Sequence, residues 1–359
     1  MKIKNDLSLI KNIYLKKYPI SLVFFVTNRC NARCSFCFID FDNPDTFKHE
    51  LTLDEIDKFS KKLGPSLNNL NITGGEPFAR KDFTDIVLTF FKNTSLDSVY
   101  ITTNGSLTPR VTKFAKVMKE QFPDKKIFFS FSIDSFEDEH NRIRKVKNIF
   151  SNCIQSYREV SEISDNIQAN IAITVTKENY KIVTKLYKTL KEKYGISSIT
   201  AILVRDEGVY KTENEYKKLI LEAYTNLTDL IKKDLNSVNF GYKTSLKSKV
   251  MNAKNKISYS MIKKTYEENS FISTCHAGKI FGVIKANGDV MPCEVLADKM
   301  GNIRDSDYDF TSIWLSDNSK KITNKIKKEK CFCTYECAWS FNILGNSSYH
   351  PYLLQKMIF

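Results

Sequence analysis

Cys30, Cys34 and Cys37 fall within eight consecutive positions, in TNRCNARCSFCF at 27–38. Thiolates at such short intervals can wrap one compact metal centre. Structural zinc takes four ligands, usually from two paired knuckles. A cubane iron–sulfur cluster has four irons and normally four thiolates. Three thiolates leave one iron open, and an open iron is where a small molecule can bind. A second group lies near the other end: Cys275-x12-Gly288-x4-Cys293, then Cys331-x-Cys333-x3-Cys337. Its clustering predicts a second iron–sulfur cluster or a zinc site. Cys153 stands alone in a helical pattern and reads as a small core residue.

The rest of the chain must position these groups. It has 359 residues, 42% hydrophobic and 27% charged, as in an ordinary globular protein. It is long enough for one large domain and a smaller one. No apolar run reaches the roughly 18 residues of a membrane span, and the start carries no signal-peptide pattern. The expectation is a cytoplasmic protein, where disulfides do not account for nine cysteines. The net charge of +14 suits a lysine-rich solvated surface, or attraction to nucleic acid, a membrane surface or an acidic substrate. The densest basic run, KKITNKIKKEK at 320–330, lacks neighbouring stacking aromatics and reads as an exposed helix face.

Six strand-like runs occur at 21–27, 69–73, 98–103, 126–134, 168–176 and 198–204, five of them near-continuously apolar as if covered on both faces. Helical patterns at 51–63, 82–93, 108–122 and 178–195 lie between them, and Thr52 with Glu55 signals a capping box. Alternation predicts an α/β fold with parallel strands and right-handed crossovers, as an open sheet or an incomplete barrel. In either, chemistry sits at the C-terminal strand ends. TNRC, TGGEP, TTNG and SIDS all fall just after a predicted strand. Residues 212–268 read as two lysine-rich helices, and 279–296 as a hairpin about Asn287-Gly288.

CNARCSFC resembles the CxxxCxxC signature of the radical S-adenosylmethionine (SAM) enzymes. The resemblance implies a partial (β/α)6 TIM-like barrel and a [4Fe–4S] cluster on Cys30, Cys34 and Cys37. The open iron is then chelated by SAM, an electron cleaves the sulfonium, and a 5′-deoxyadenosyl radical takes hydrogen from substrate. Phe36 matches the family's aromatic before the third cysteine, in a segment that shields the cluster and contacts adenine. Gly74 and Gly75 let the backbone approach a ligand closely, and the resemblance assigns TGGEP to the SAM amino group, with Glu76 in support. It also implies that Asn104 contacts SAM, that Ser132 and Asp134 reach the ribose, and that Arg144 pairs with the SAM carboxylate. Where the family often has glycine after SID and after the arginine, this chain has Ser135 and Lys145, so different local turns are expected. His140 reads as a cap or surface residue, and no catalytic acid or base is singled out.

The tail resembles the SPASM/twitch extensions of radical SAM enzymes through C-x12-G-x4-C, GNI at 301–303, Trp314 and the terminal cysteines. Full SPASM domains carry seven cysteines and two auxiliary clusters; five cysteines imply one, as [4Fe–4S]. Cys275 and Cys293 are the expected ligands, completed by two of Cys331, Cys333 and Cys337, with Cys337 plus one other favoured. The implied organisation is an N-terminal extension at 1–16, a radical SAM core at 17–210, a helical linker at 211–268 and a small α+β auxiliary-cluster domain at 269–359. The implied function is hydrogen abstraction from a small-molecule or peptide substrate. The auxiliary cluster would move electrons for an oxidation, cross-link or rearrangement, and a flavodoxin or ferredoxin would supply them. The first 16 residues are too short for a leader-binding domain, which tilts the expectation towards a modest-sized substrate. Two alternatives stand: an RNA-modifying radical SAM enzyme, and a non-catalytic zinc protein that binds nucleic acid in a salt-sensitive way.

Overall fold

The computed structural model describes residues 11, 13–206, 209–235 and 246–358, so most of the expected N-terminal extension lies outside the described residues. Strands β1 (Ser21–Thr27), β2 (Asn69–Gly74), β3 (Ser98–Thr103), β4 (Lys126–Ser132), β5 (Ile167–Val175) and β6 (Ile199–Leu203) fall where the sequence predicts them. Between them run α1 (Leu53–Ser60), α2 (Phe83–Asn93), α3 (Thr108–Gln121), α4 (Glu137–Arg144), α5 (Ile149–Ser161) and α6 (Val183–Glu192). The capping box forms: Glu55 N donates to Thr52 Oγ1 and Thr52 N to Glu55 Oε2. Each strand pairs in parallel with the next, in the order β6-β5-β4-β3-β2-β1. β6 ends the sheet, so the barrel is not closed.

Helices α7 (Asn214–Asp234) and α8 (Leu246–Glu268) follow. α7 packs on β6, and α8 packs on α11 (Glu336–Gly345) and α12 (His350–Ile358). Their buried faces include Ile220, Tyr224 and Leu227 on α7 and Ala253, Ile257 and Ile262 on α8. The predicted hairpin forms as β7 (Phe281–Ile284) and β8 (Asp289–Met291), with Gly288 at φ 87° in its turn. β7 pairs in parallel with β1, and β9 (Gly301–Asn302) pairs with β8, so the C-terminal segment extends the same nine-stranded sheet. α9 (Phe310–Trp314) and α10 (Asp317–Lys328) follow it. No described helix is long and apolar enough to cross a membrane.

The strands are less uniformly apolar than expected. Residues facing the helices are buried and apolar: Leu70 and Ile72, Val99 and Ile101, Phe129 and Phe131, Ile171 and Ile173, Ala201 and Leu203. Burying each large apolar side chain contributes about 1.5–3 kcal/mol. The opposite face is apolar at β1 and β7, where Val23, Phe25 and Val283 pack with Phe38. From β2 to β6 it is largely polar, with Phe128 and Ile202 as the large apolar exceptions. Asn69 and Asn71 donate to Ser21 Oγ at 3.2 and 3.0 Å, and Ser98 Oγ donates to Asn69 Oδ1 at 2.9 Å. Tyr100 donates to Asn170 Oδ1 at 3.1 Å, and Asn170 donates to Thr200 Oγ1 at 3.0 Å. The interior of the open barrel therefore suits a polar occupant.

Candidate functional site

The loop after β1 carries Cys30, Cys34 and Cys37, all half-buried. It is pinned at several points. Thr27 Oγ1 and Asn28 N donate to Glu50 Oε1 at 2.8 and 2.9 Å, Arg33 N donates to Arg144 O at 3.0 Å, and Asn104 Nδ2 donates to Asn31 Oδ1 at 2.9 Å. Burial pushes Cys30 up to about 12 and Cys37 up to about 11, and the other two thiols of the trio add to the rise at Cys30. Cys34 is also raised by burial, against the pull of the nearby Arg144 charge. Grouped thiols that resist losing protons to water are the donor set that a cationic centre deprotonates on binding.

Two glycines let the end of β2 slide beneath this loop. Gly74 has φ 133°, and a Cβ there would stand 2.0 Å from Thr27 O; one on Gly75 would stand 2.1 Å from Arg29 O. Gly75 N and Glu76 N donate to those same two carbonyls at 2.8 and 2.9 Å. The sequence expected a ligand as the partner of this close approach. The observed partner is the backbone that leads into the cysteines.

Glu76 is buried and accepts three hydrogen bonds: Phe78 N at 3.1 Å, Thr103 Oγ1 at 2.8 Å and Asn104 N at 2.7 Å. Burial raises its pKa against those bonds. Glu76 thus joins the ends of β2 and β3 and orients Asn104, whose Nδ2 also lies 3.9 Å from Cys30 Sγ. Ser132 ends β4 half-buried, and Phe36 is half-buried at the edge of the core. Asp134 is fully buried and grips Arg144: Nε and Nη2 lie 3.1 and 2.5 Å from Oδ2. Asp134 Oδ1 accepts Thr174 N at 3.0 Å, so both carboxylate oxygens have protein partners. His140 is not a surface residue: it is fully buried, its Nδ1 accepts Asp134 N at 3.2 Å, and burial drives its pKa well down. Lys145 adopts φ 55°, the left-handed geometry that glycine favours, so that turn forms despite its side chain.

In the tail, Cys275, Cys293, Cys331 and Cys333 act on one another. Burial pushes Cys275 up to about 12 and Cys293 up to about 11, and Cys331 adds to both. Cys333 is raised by burial and by the other three thiols. Trp339 Nε1 donates to Cys333 O at 2.9 Å and holds this segment in place. Cys337 sits in the first turn of α11, with Tyr335, Glu294, Arg205 and Glu336 around its thiol. The thiols that raise Cys333 are Cys275, Cys293 and Cys331. Among the described residues, no three Cys, His, Asp or Glu side chains converge on a single-ion site. Thiolates on different irons of a cluster stand wider than ligands of one ion.

The site contains side chains that motif reading missed. Arg205, just past β6, pairs with Glu294 and lies over the Tyr335 ring at 4.3 Å and the Phe38 ring at 5.6 Å. Tyr335 donates to Glu294. Glu336 accepts Leu203 N at 3.1 Å, and burial raises it to about 7. This network joins the last strand, the first cysteine loop and the tail. The available signals were weak: Arg205 follows a strand, and Glu294 directly follows Cys293.

A family model described as the radical SAM superfamily matches residues 24–190, and one described as an iron–sulfur cluster-binding domain, SPASM, matches 275–338. The chain thus carries a radical SAM domain followed by a SPASM domain. As a radical SAM enzyme with a SPASM domain, it is expected to carry [4Fe–4S] clusters and SAM, and the two thiol groups fit such centres. A GTP 3′,8-cyclase of Petrotoga mobilis is 22% identical over 311 residues, covering 83% of this chain and 88% of that one. One from Yersinia pestis is 40% identical over 81 residues, 22% of this chain and only 25% of the relative. In fold, the chain is similar to anSMEcpe with bound AdoMet (TM-score 0.62, 20% identity, covering 95% and 94% of the two chains). It is also similar to Streptococcus suis SuiB bound to S-adenosylmethionine (TM-score 0.60, 18% identity, covering 89% and 71%).

Proposed function

We propose that this radical SAM enzyme abstracts hydrogen from a polar small-molecule or peptide substrate held against the polar face of β2–β6, giving an oxidation, cross-link or rearrangement. The observation that carries this reading is the convergence of the cysteine loop, Asn104 and Arg144 at one end of the parallel strands. Cys30, Cys34 and Cys37 hold the first cluster. When bound, that cluster supplies the electron that cleaves the SAM sulfonium. Arg144 Nη1, which takes no part in the Asp134 contacts, is available to the SAM carboxylate. Glu76 sets the TGGEP backbone and orients Asn104 towards SAM. Ser132 borders the ribose side, Asp134 fixes the Arg144 fork, and Phe36 shields the adenine side. Cys275, Cys293, Cys331 and Cys333 would hold the auxiliary cluster, which would supply a route for electrons between the substrate site and a flavodoxin or ferredoxin.

The peptide branch has support of its own: similar folds include anSMEcpe with AdoMet and a Kp18Cys peptide, and SuiB bound to precursor peptide SuiA. The cyclase names of the sequence relatives favour the small-molecule branch. The assignment of two clusters is tested by anaerobic reconstitution with iron and sulfide. Wild type should hold two clusters and Cys34→Ala one. Tightly bound zinc in their place would refute it.

A further inference from the structure

The tail meets the barrel on both sides of its opening. On one side β7 pairs in parallel with β1, from Ser21 with Phe281 to Phe24 with Ile284. On the other, β6 has only β5 as a strand neighbour among the described residues. There Leu203 N donates to Glu336 Oε1 at 3.1 Å, and Arg205, two residues past the strand, pairs with Glu294. Three neighbours meet the Arg205 guanidinium, and each lies close in sequence to an expected cluster ligand. Glu294 directly follows Cys293. Tyr335, whose ring lies 4.3 Å away, is two residues past Cys333. Phe38, whose ring lies 5.6 Å away, directly follows Cys37. Phe38 in turn meets Phe25 of β1 edge-on at 5.9 Å. One side chain from the β6 end thus reaches a ring packed on β1 and two residues of the tail.

The Arg205 and Glu294 side chains are 23% and 9% exposed. A pair so far from water adds little net stability, because desolvation offsets the attraction; what it supplies is a defined geometry. A guanidinium suits that task, since its rigid fork fixes a carboxylate while its flat faces stack on rings. Glu294 is fixed in turn, with Arg205 on one oxygen and Tyr335 on the other. We propose that Arg205 is a positioning residue that sets the separation of the two clusters, by clamping the Cys37 loop to the Cys293 and Cys333 segments. This rests on the reading that the chain holds two clusters. Electron transfer between two centres falls exponentially with their separation. A cysteine loop that drifts therefore changes the rate without losing its cluster.

The test is pulsed electron paramagnetic resonance of the reconstituted, reduced holoenzyme, which reads the magnetic coupling between the clusters. Iron content is measured on the same samples. The double variant Arg205→Met with Glu294→Gln removes the clamp without stranding a buried charge. Arg205→Lys keeps the charge and loses the planar fork. The clamp predicts one well-defined coupling in wild type, loss of that single value in the double variant and an intermediate spread in Arg205→Lys, all with full iron. A double variant with the wild-type coupling would overturn it. So would iron loss from either site in that variant, because Arg205 would then hold a cluster rather than space two. If the double variant does not fold, Arg205→Lys decides: a coupling identical to wild type overturns the clamp. Two clusters in wild type whose coupling is independent of Arg205 remove the clamp alone. A wild type that does not hold two clusters removes the reading beneath it.

Discussion

Arg144 holds Asp134 through two nitrogens, at 2.5 and 3.1 Å from one carboxylate oxygen, with both residues buried. Its carbonyl accepts the Arg33 amide at 3.0 Å. One residue thus ties the segment after β4 to the cysteine loop and sets a positive charge beside Cys34.

Arg144→Met leaves Asp134 charged and unpaired in the core. Breaking a buried pair from one side costs about 3–5 kcal/mol. Urea unfolding should show that loss, and equilibrium dialysis should show weakened SAM binding. The double variant with Asp134→Asn should recover part of the stability, since it removes the stranded charge. Undiminished stability in the single variant would mean that the pair is not formed.

Gly75→Ala places a methyl 2.1 Å from Arg29 O, and the partner is backbone that cannot swing aside. The cysteine loop has to move. The variant should therefore lose the first cluster and keep the auxiliary one, read as half the iron of wild type. Full iron in both sites would show that the loop tolerates the displacement.

Glu55 closes the α1 capping box and also binds Arg304, whose Nε and Nη2 lie 2.6 and 2.9 Å from its two oxygens. The Arg304 guanidinium holds the Glu55 carboxyl down to about 2, with Thr52 assisting. The folded value lies below the ordinary 4.5, so this contribution is complete above about pH 4.5 and is lost as pH falls towards 2. Glu55→Gln should lower the urea midpoint at pH 7 and flatten its decline on acidification. A parallel decline in both proteins would show that the pair adds nothing.

Cys337→Ser should retain both clusters, whereas Cys333→Ser should lose the auxiliary one. Iron content and visible absorption after reconstitution distinguish the two. Loss of the auxiliary cluster in Cys337→Ser would return that thiol to the ligand set.

The six strands and four motif-bearing turns were legible because hydrophobic runs and turn residues report local geometry. Ser21–Thr27 and Ser98–Thr103 match their predicted ranges. What the sequence hid is direction. Asn71, Tyr100 and Asn170 interrupt their strands with polar groups whose common face appears only once register is set. Cysteine spacing likewise did not reveal that Cys337 enters a helix. Gly74 and Gly75 announced a close approach, read as one to a ligand, whose partner in the fold is the backbone of Thr27 and Arg29.

The central claim is tested most directly by 5′-deoxyadenosine formation. The reconstituted protein is given SAM and a strong reductant under anaerobic conditions, with Cys34→Ala and Cys293→Ala alongside. The account predicts 5′-deoxyadenosine from wild type, none from Cys34→Ala, and an auxiliary-cluster deficit in Cys293→Ala. A fully reconstituted wild type that forms no 5′-deoxyadenosine, or a Cys34→Ala variant that still forms it, would contradict the account.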